Sequence, residues 1–472
     1  MSDDASQTPV RVRFAPSPTG PLHAGNMRTA VFNWIFAKKM GGQFVLRIED
    51  TDAERSAEEH TKEIFDSLRW LGIGWDGEPQ YQSRRTAIYS DKCRDLLERG
   101  FLYPCFCTDA QLEEDRKAAE KKGRPPIYAG RCHGIPEDER KKRTQSEPYS
   151  LRFRISGETL SYNDAIRGAI TVNTGLIGDF IAVRSNGVPT YNLAASVDDA
   201  MMEISHVIRG EDHISNTPKQ ILLMRAMGFK RHPIYAHLPI ILAEDGTKLA
   251  KRHRNSSFGD LIKQGYLPEA VLNFLALMGW HPEDNDESAP VEKIVGEFSL
   301  ERVSLRAAHY NLQKLDWLNK HALHHAEPAR ILALSAPFMK ECSPEFYALP
   351  DDKKLFIISA ARENVSRLDQ LESEIFPFLR HSIEEDALAG LAGFDAKTVA
   401  SALKTVCEMD DFEAAIKEVS RISSAKGKKL YMPARVALSG RAHGPELKKI
   451  YEFLTPAERK RRVDVFLGRI CL

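Results

Sequence analysis

The sequence predicts a multidomain α/β chain: a parallel, Rossmann-type nucleotide-binding core, interrupted by an α+β insertion and followed by an all-α C-terminal part. Three observations predict it. The chain opens with strand, phosphate-sized loop, helix, strand and helix, the order that begins a parallel nucleotide-binding fold. That rhythm stops near Phe101 and resumes at Ser205. After Lys248 the pattern is helical almost throughout. Length agrees, since 472 residues at about 100–200 per domain make roughly three domains.

Residues 1–9 are polar and acidic, unlike a signal or transit peptide, and are expected to be a disordered leader. Val10–Ala15 (VRVRFA) is a short strand that runs into the turn-rich Pro16-Ser17-Pro18-Thr19-Gly20-Pro21. From His23 to Met40, Ala30, Trp34 and Ala37 recur at helical spacing, and Gly41-Gly42 ends the helix. Gln43–Ile48 (QFVLRI) is rich in β-formers and leads into the acidic turn Glu49-Asp50-Thr51-Asp52. Helical patterns follow at Ala53–Leu71 and Arg84–Arg99. Residues 101–200 then hold a charged helix (Asp109–Lys122), a Pro- and Gly-rich segment, and short strands around Ser150–Ile155, Ala169–Val172 and Gly178–Val183. The core resumes with the strand Ser205–Arg209, the helix Pro218–Met227 and the apolar strand His237–Leu242. The expected division is a split core over 10–100 and 201–250, an insertion over 101–200, and helical regions over 251–320 and 321–472.

Charge is uneven. Lys plus Arg and Asp plus Glu both total 66, and a net charge of zero argues against a uniformly basic nucleic-acid binder or a highly charged disordered chain. Yet the last 52 residues hold 13 Lys/Arg and 4 Asp/Glu, a local +9 set against −9 for the rest. The longest apolar stretches, Val271–Trp280 and Leu238–Ala243, are half or less of the ~20 residues of a membrane span. Seven scattered cysteines do not suggest a disulfide framework, so the cytoplasm is the expected compartment.

Two constellations carry chemistry. Arg13-Phe14-Ala15-Pro16-Ser17-Pro18-Thr19-Gly20, followed by His23-Ala24-Gly25-Asn26, lies between strand and helix. A helix N-terminus there suits a phosphate, and His23 can donate to developing negative charge. The plainer reading is a proline-rich turn capping a helix. The second is Asp245-Gly246-Thr247-Lys248-Leu249-Ala250-Lys251-Arg252-His253-Arg254, whose lysines can converge on one phosphate chain. A solvated charge run is its plainer reading. Together the pair resembles the HIGH and KMSKS signatures of class I aminoacyl-tRNA synthetases.

Within that class the chain resembles the bacterial-type glutamyl-tRNA synthetases. The blocks are FVLRIEDTDAERS (44–56), VPTYNLAASVDD (188–199), SHVIRGEDHISNTPKQ (205–220), YAHLPIILAEDGTKLAKRH (235–253), GYLPEAVLNFLALMGW (265–280) and LQKLDWLN (312–319). A weaker match is MPARVALSG (432–440). The resemblance implies ATP-dependent activation of L-glutamate, with Mg²⁺, and transfer to the 3′-terminal adenosine of tRNA(Glu). A second acceptor, tRNA(Gln), is left open by one sequence, and the expected state is a monomer with no membrane partner. It further implies that residues 101–200 meet the tRNA acceptor end, 251–320 the stem and 321–472 the anticodon. His23, Lys248 and Lys251 are implied to stabilise the reacting phosphates, and Gly25 and Asn26 to lie against adenosine. Two carboxylates and one ammonium need at least two arginines and one acid. The family pattern points to Arg13, Arg209 and Glu49, with smaller contacts from Ala15, Ser17 and Tyr191, the last placed on a strand.

Two positions depart from the family. Ala250 stands where Ser is usual in the second signature. Ala195 stands where a small polar residue is usual, and Asn192 is the alternative source of that contact. Cys105 and Cys107, with Cys132 and either Tyr128 or His133, could hold a tetrahedral Zn²⁺; three buried free thiols are the plainer reading. In the tail, Lys426, Lys428, Lys429, Lys448, Lys449 and Arg459 to Arg462 are candidate RNA contacts. Three rivals stand beside this reading. A glutaminyl-type enzyme would carry β-barrels after the core, and an enzyme glutamylating a modified tRNA nucleoside would lack the C-terminal region. A non-catalytic RNA-binding relative would be expected to lose His23 or Lys251.

Overall fold

A computed structural model describes residues 9–52, 56–123, 125–249, 257–340 and 343–470. Most of the leader, the start of the expected Ala53 helix, and Ala250 and Lys251 of the second signature lie outside the described residues. Two compact units form: Met1–Asp260 with Leu272–Asn311, and Leu261–Val271 with Leu312–Leu472.

The first unit begins with β1 (Arg11–Phe14), α1 (Ala24–Lys39) and β2 (Gln43–Ile48). Strands β1 and β2 pair in parallel, Val12 against Phe44 and Phe14 against Leu46. Gly42 permits the return, because a Cβ there would sit 2.4 Å from the Val10 carbonyl oxygen. Five of the six residues of β2 are buried, as expected of a parallel strand covered on both faces. Next come α2 (Glu58–Trp70), β3 (Gln80–Tyr81) parallel to β2, and α3 (Thr86–Glu98).

The stretch after Phe101 holds β4 (Leu102–Cys105), α4 (Asp109–Lys121), α5 (Glu137–Ser146) and β5 (Ser150–Phe153). It continues with β6 (Thr159–Asp164), β7 (Gly168–Asn173) and β8 (Phe180–Val183). Strands β4, β5 and β8 make an antiparallel sheet of their own. The β6–β7 hairpin does not stay with it. After α6 (Tyr191–Met201), β9 (His206–Gly210), α7 (Thr217–Ala226) and β10 (Ile234–Leu238), the hairpin joins the core sheet in the order β7-β6-β10-β9. Its tip thereby reaches β10, where Asp164 is in register with Tyr235. The two halves of the core meet where Ser205 N–H donates to the Arg11 carbonyl at 2.9 Å.

Several expected bounds shift for physical reasons. The first helix starts at Ala24, because His23 is its N-cap. The single strand expected over His237–Leu242 is two, since Pro239 has no N–H to give a ladder. Beyond it, β11 (Ile241–Leu242) pairs with β12 (Ala308–His309). Tyr191 opens α6 and is not on a strand.

In the second unit, helices include Leu312–His325, Asp351–Ala361, Ala396–Thr405, Phe412–Ser423, Lys428–Ser439 and Pro456–Ile470. Among the described residues from 312 to 470 there is no strand. Two of the candidate RNA cations are buried here. Arg459 donates to the carbonyls of Tyr451, Cys407 and Met409 at 2.9–3.0 Å. Arg462 donates to those of Pro377 and Leu438 at 2.6 and 2.8 Å. Both guanidiniums tie helix ends together and cannot meet phosphate. Lys426, Lys428, Lys429, Lys460 and Arg461 are exposed. Half-buried Lys448 and Lys449 face Glu413 and Glu452 at 3.6 and 3.8 Å. The tail's +9 is therefore divided between packing and surface.

Candidate active site

A cavity of about 520 Å³ opens where β1, β9 and the start of α1 converge. It gathers Arg13, Ala15, Ser17, His23, Gly25 and Asn26 from the first signature, and Glu49, Tyr191, Arg209 and Lys248 from elsewhere. The sequence spreads these residues over more than 200 positions; the parallel sheet brings their strand ends to one rim.

His23 takes its place through the backbone. Its Nδ1 accepts from the N–H groups of Gly25 and Asn26 at 3.1 and 3.4 Å. With Nδ1 an acceptor, the neutral ring carries its proton on Nε2. Gly25 lines the cavity and leaves room for the His23 ring, because a Cβ there would lie 3.0 Å from that ring. Lys248 comes from the turn at Gly246 (φ +77°), where Asp245 accepts from Thr247 N–H at 2.9 Å. Its ammonium stands 3.7 Å from Asp212.

The arginines differ in their partners. Arg13, buried, donates to Asp199 at 3.0 Å, and Asp199 also accepts from Arg47 at 2.6 Å. Arg47 in turn donates to Glu49 at 2.9 Å. Burial alone would raise Asp199, but the guanidiniums of Arg13 and Arg47 override it and hold the carboxyl at about 2. Burial wins at Glu49, whose carboxyl is pushed up despite Arg47. An arriving ammonium would restore the balance. Arg209 is buried among neutral acceptors, including Gln220 at 2.9 Å and the Tyr191 hydroxyl at 3.2 Å.

Several residues in or directly behind the site are assigned no role by the sequence. Arg47, Asp198 and Asp199 form its charged floor, and the acidic pair inside the apolar stretch LAASVDDAM was the available clue. His213 packs against Tyr191 with ring centroids 5.3 Å apart, and burial beside Arg209 pushes its imidazole down to about 4. Arg28 lines the cavity as well, its guanidinium lowered by burial to about 10. Ala195 is fully buried and does not line the cavity, while Asn192 Oδ1 is buried with no partner among the described residues.

A second cluster lies beside β4. The Sγ atoms of Cys105, Cys107 and Cys132 are all within 4.8 Å of one another. The Tyr128 hydroxyl is 3.5 Å from both Cys105 and Cys107. Arg152 donates to Cys105 Sγ at 3.1 Å and covers the Tyr128 ring at 3.8 Å. Burial opposes a thiolate at Cys105, yet the hydrogen bonds from Tyr128 and Arg152 prevail and hold it below the usual thiol range. His133 is exposed and stacks on Tyr103 at 5.5 Å, so it is not brought into this cluster.

Residues 9–317 match the family described as tRNA synthetases class I (E and Q), catalytic domain, and residues 318–467 match an anticodon binding domain. A glutamate–tRNA ligase of Carboxydothermus hydrogenoformans is 43% identical over 475 residues, covering 96% of this chain and 99% of the relative. One from Desulforamulus reducens is 37% identical, covering 97% and 99%. The crystal structure of a glutamate tRNA ligase from Elizabethkingia meningosepticum, in complex with its amino acid, superposes with a TM-score of 0.87. It shares 31% identity and covers 98% of this chain and 99% of that one. No helix among the described residues is long and apolar enough to cross a membrane. The chain belongs to the class I tRNA synthetases, in the family of the glutamate–tRNA ligases.

Proposed function

We propose that this cavity joins L-glutamate to tRNA(Glu), and that its side chains divide the work by charge. A glutamate carboxylate oxygen attacks the α-phosphorus of ATP, pyrophosphate leaves, and the terminal adenosine hydroxyl then attacks the carbonyl carbon and releases AMP. The observation that carries the reading is the pairing of two buried guanidiniums, Arg13 and Arg209, with the carboxylate of Glu49, its side chain 8% exposed, beside the N-terminus of α1. That complement matches two carboxylates and one ammonium. His23, through Nε2–H, and Lys248 stabilise the charge that moves onto the phosphates, a role shared with Lys251, which is not among the described residues. Mg²⁺ supplies further neutralisation of the triphosphate when bound. Asn26 and Gly25 border the adenosine, and Ser17, Ala15 and Tyr191 complete the glutamate contacts.

The division of labour follows the chain. Residues 10–100 and 201–250 activate glutamate, 101–200 meet the acceptor end, 251–320 the stem and 321–472 the anticodon, in a cytoplasmic monomer. The test is aminoacylation with purified tRNA(Glu) and, separately, tRNA(Gln). Charging of tRNA(Glu) with glutamate is expected. Charging of neither acceptor would overturn the reading, and charging of both would make the enzyme non-discriminating.

The thiol cluster is proposed to hold one Zn²⁺ through Cys105, Cys107 and Cys132, with Tyr128 as the fourth ligand. Three converging sulfurs and one oxygen suit a tetrahedral structural site, and the metal would clamp the segment after β4. One zinc per chain is expected by elemental analysis. In the Cys105→Ser/Cys107→Ser variant it should be lost; stoichiometric metal retained there would overturn the assignment.

A further inference from the structure

Arg209 has five N–H bonds, and the structure gives each an acceptor. Nε faces His237 Nε2 at 3.2 Å. Nη1 faces Gln220 Oε1 at 2.9 Å and the Tyr191 hydroxyl at 3.2 Å. Nη2 faces Thr217 Oγ1 at 2.7 Å and the His213 carbonyl at 3.5 Å. None of these partners is a carboxylate. The negative charge comes one residue further away: His237 Nδ1 lies 2.6 Å from Asp164 Oδ2, and His237 and Asp164 are 0% and 1% exposed. Arg13 is held by Asp199 directly, whereas Arg209 is held by an acid acting through an imidazole.

We propose that Asp164 and His237 are positioning residues for the glutamate site, fixing the His237 tautomer so that its Nε2 accepts from Arg209 and aims that guanidinium at a substrate carboxylate. The proposal rests on the reading of Arg209 as a carboxylate partner. Its logic is that of any buried acid–imidazole pair. An ionised Asp164 can only accept, so the ring proton must sit on Nδ1. Nε2 is then an acceptor, which the N–H of Arg209 requires and the Thr217 hydroxyl, 3.1 Å away, can accommodate. The opposite tautomer would set two donors against each other. This arrangement also leaves the positive charge of Arg209 without a direct counter-ion, so a carboxylate from the cavity gains that charge by displacing a neutral acceptor, the weakest being the His213 carbonyl at 3.5 Å.

Asp164 is itself anchored. Its Oδ1 accepts from the N–H groups of Ile166 and Arg167 at 3.0 and 2.9 Å, closing the tip of the β6–β7 hairpin. Arg167 pairs with Glu211, which accepts from Ile240 N–H at 2.9 Å. The hairpin from the 101–200 stretch is thus part of the glutamate site's foundation.

Asp164→Asn is the informative variant, because its amide can donate to Nδ1 and move the ring proton to Nε2. Steady-state charging of tRNA(Glu) should show the KM for glutamate raised roughly 10-fold or more, with the KM for ATP within about 3-fold of wild type. Imidazole ¹⁵N shifts should report Nδ1–H for His237 in the wild type and Nε2–H in the variant. Adding His237→Gln, whose Oε1 replaces the acceptor, should bring the glutamate KM back toward wild type; a merely structural role predicts compounded damage instead. Arg209→Lys is the control. If it leaves the glutamate KM unchanged, the reading of Arg209 fails. If it raises that KM while Asp164→Asn does not, or the ¹⁵N shifts stay the same, the relay is overturned.

Discussion

Replacing Arg209 with Ala is expected to lower kcat/KM for glutamate by roughly 30- to 4,000-fold, while the KM for ATP stays near its wild-type value. The range is the cost of truncating one partner of a buried, hydrogen-bonded charge pair, about 2–5 kcal/mol at 1.4 kcal/mol per decade. The upper part is favoured here. Arg209 is only 4% exposed, and none of its hydrogen-bond partners is an anion, so little of its charge is spent on the protein. Removing it leaves a substrate carboxylate facing Gln220, Thr217 and an imidazole that burial keeps neutral. Arg209→Lys should fall between, because an ammonium restores charge but not the planar fork that reaches Tyr191, Gln220 and Thr217 together. Pyrophosphate exchange and aminoacylation with glutamate varied at saturating ATP would measure both. An unchanged glutamate KM and kcat in Arg209→Ala would remove Arg209 from the site.

Much of this arrangement was legible in the sequence, and the parts that were not share a physical cause. Strand, loop and helix around Arg13 to Asn26 could be read from local patterning, because that segment's job is done by its own backbone. The helix N-terminus and the turn at Gly246 are of the same kind. Side chains that act through other side chains left no local trace. Asp199 supports Arg13 across 186 residues and Asp164 supports His237 across 73, and neither spacing has a period. Which side chain joins the three thiols was ambiguous for a related reason. Tyr128 lies four residues before Cys132 and His133 directly after it, and only the fold decides which turns toward sulfur and which toward Tyr103. The same holds for the basic tail, where Arg459 and Arg462 look like their neighbours in sequence but face inward on a helix. The +9 total cannot tell a phosphate contact from a cation satisfying carbonyl groups.

The charged floor beneath the cavity makes the second large prediction. Asp199→Asn should destabilise the first unit by about 3–5 kcal/mol at pH 7, the usual cost of breaking a buried ion pair from one side. Two buried guanidiniums, Arg13 and Arg47, would then share no direct acid, and Arg47 would keep only Glu49 at 2.9 Å and Asp198 at 3.9 Å. The glutamate KM should rise as well, since Arg13 loses the group that aims it. Acid should act in the same place. The Asp199 carboxyl is held at about 2 in the folded chain against an ordinary 3.8, so the stability it contributes is present above about pH 4. That contribution, about 2 kcal/mol, is lost as pH falls toward 2. Glu49 has the opposite sign: burial raises its carboxyl, so its ionised form costs stability above the ordinary range and acid relieves that cost. Removing Asp199 therefore takes away the stabilising limb and leaves the relieving one. Between pH 5 and pH 2 the variant should lose about 2 kcal/mol less than wild type in urea unfolding. Equal midpoints for the two proteins at pH 7, or parallel losses in acid, would mean that Arg13 and Arg47 are compensated without Asp199, and the floor would not be the support of the site.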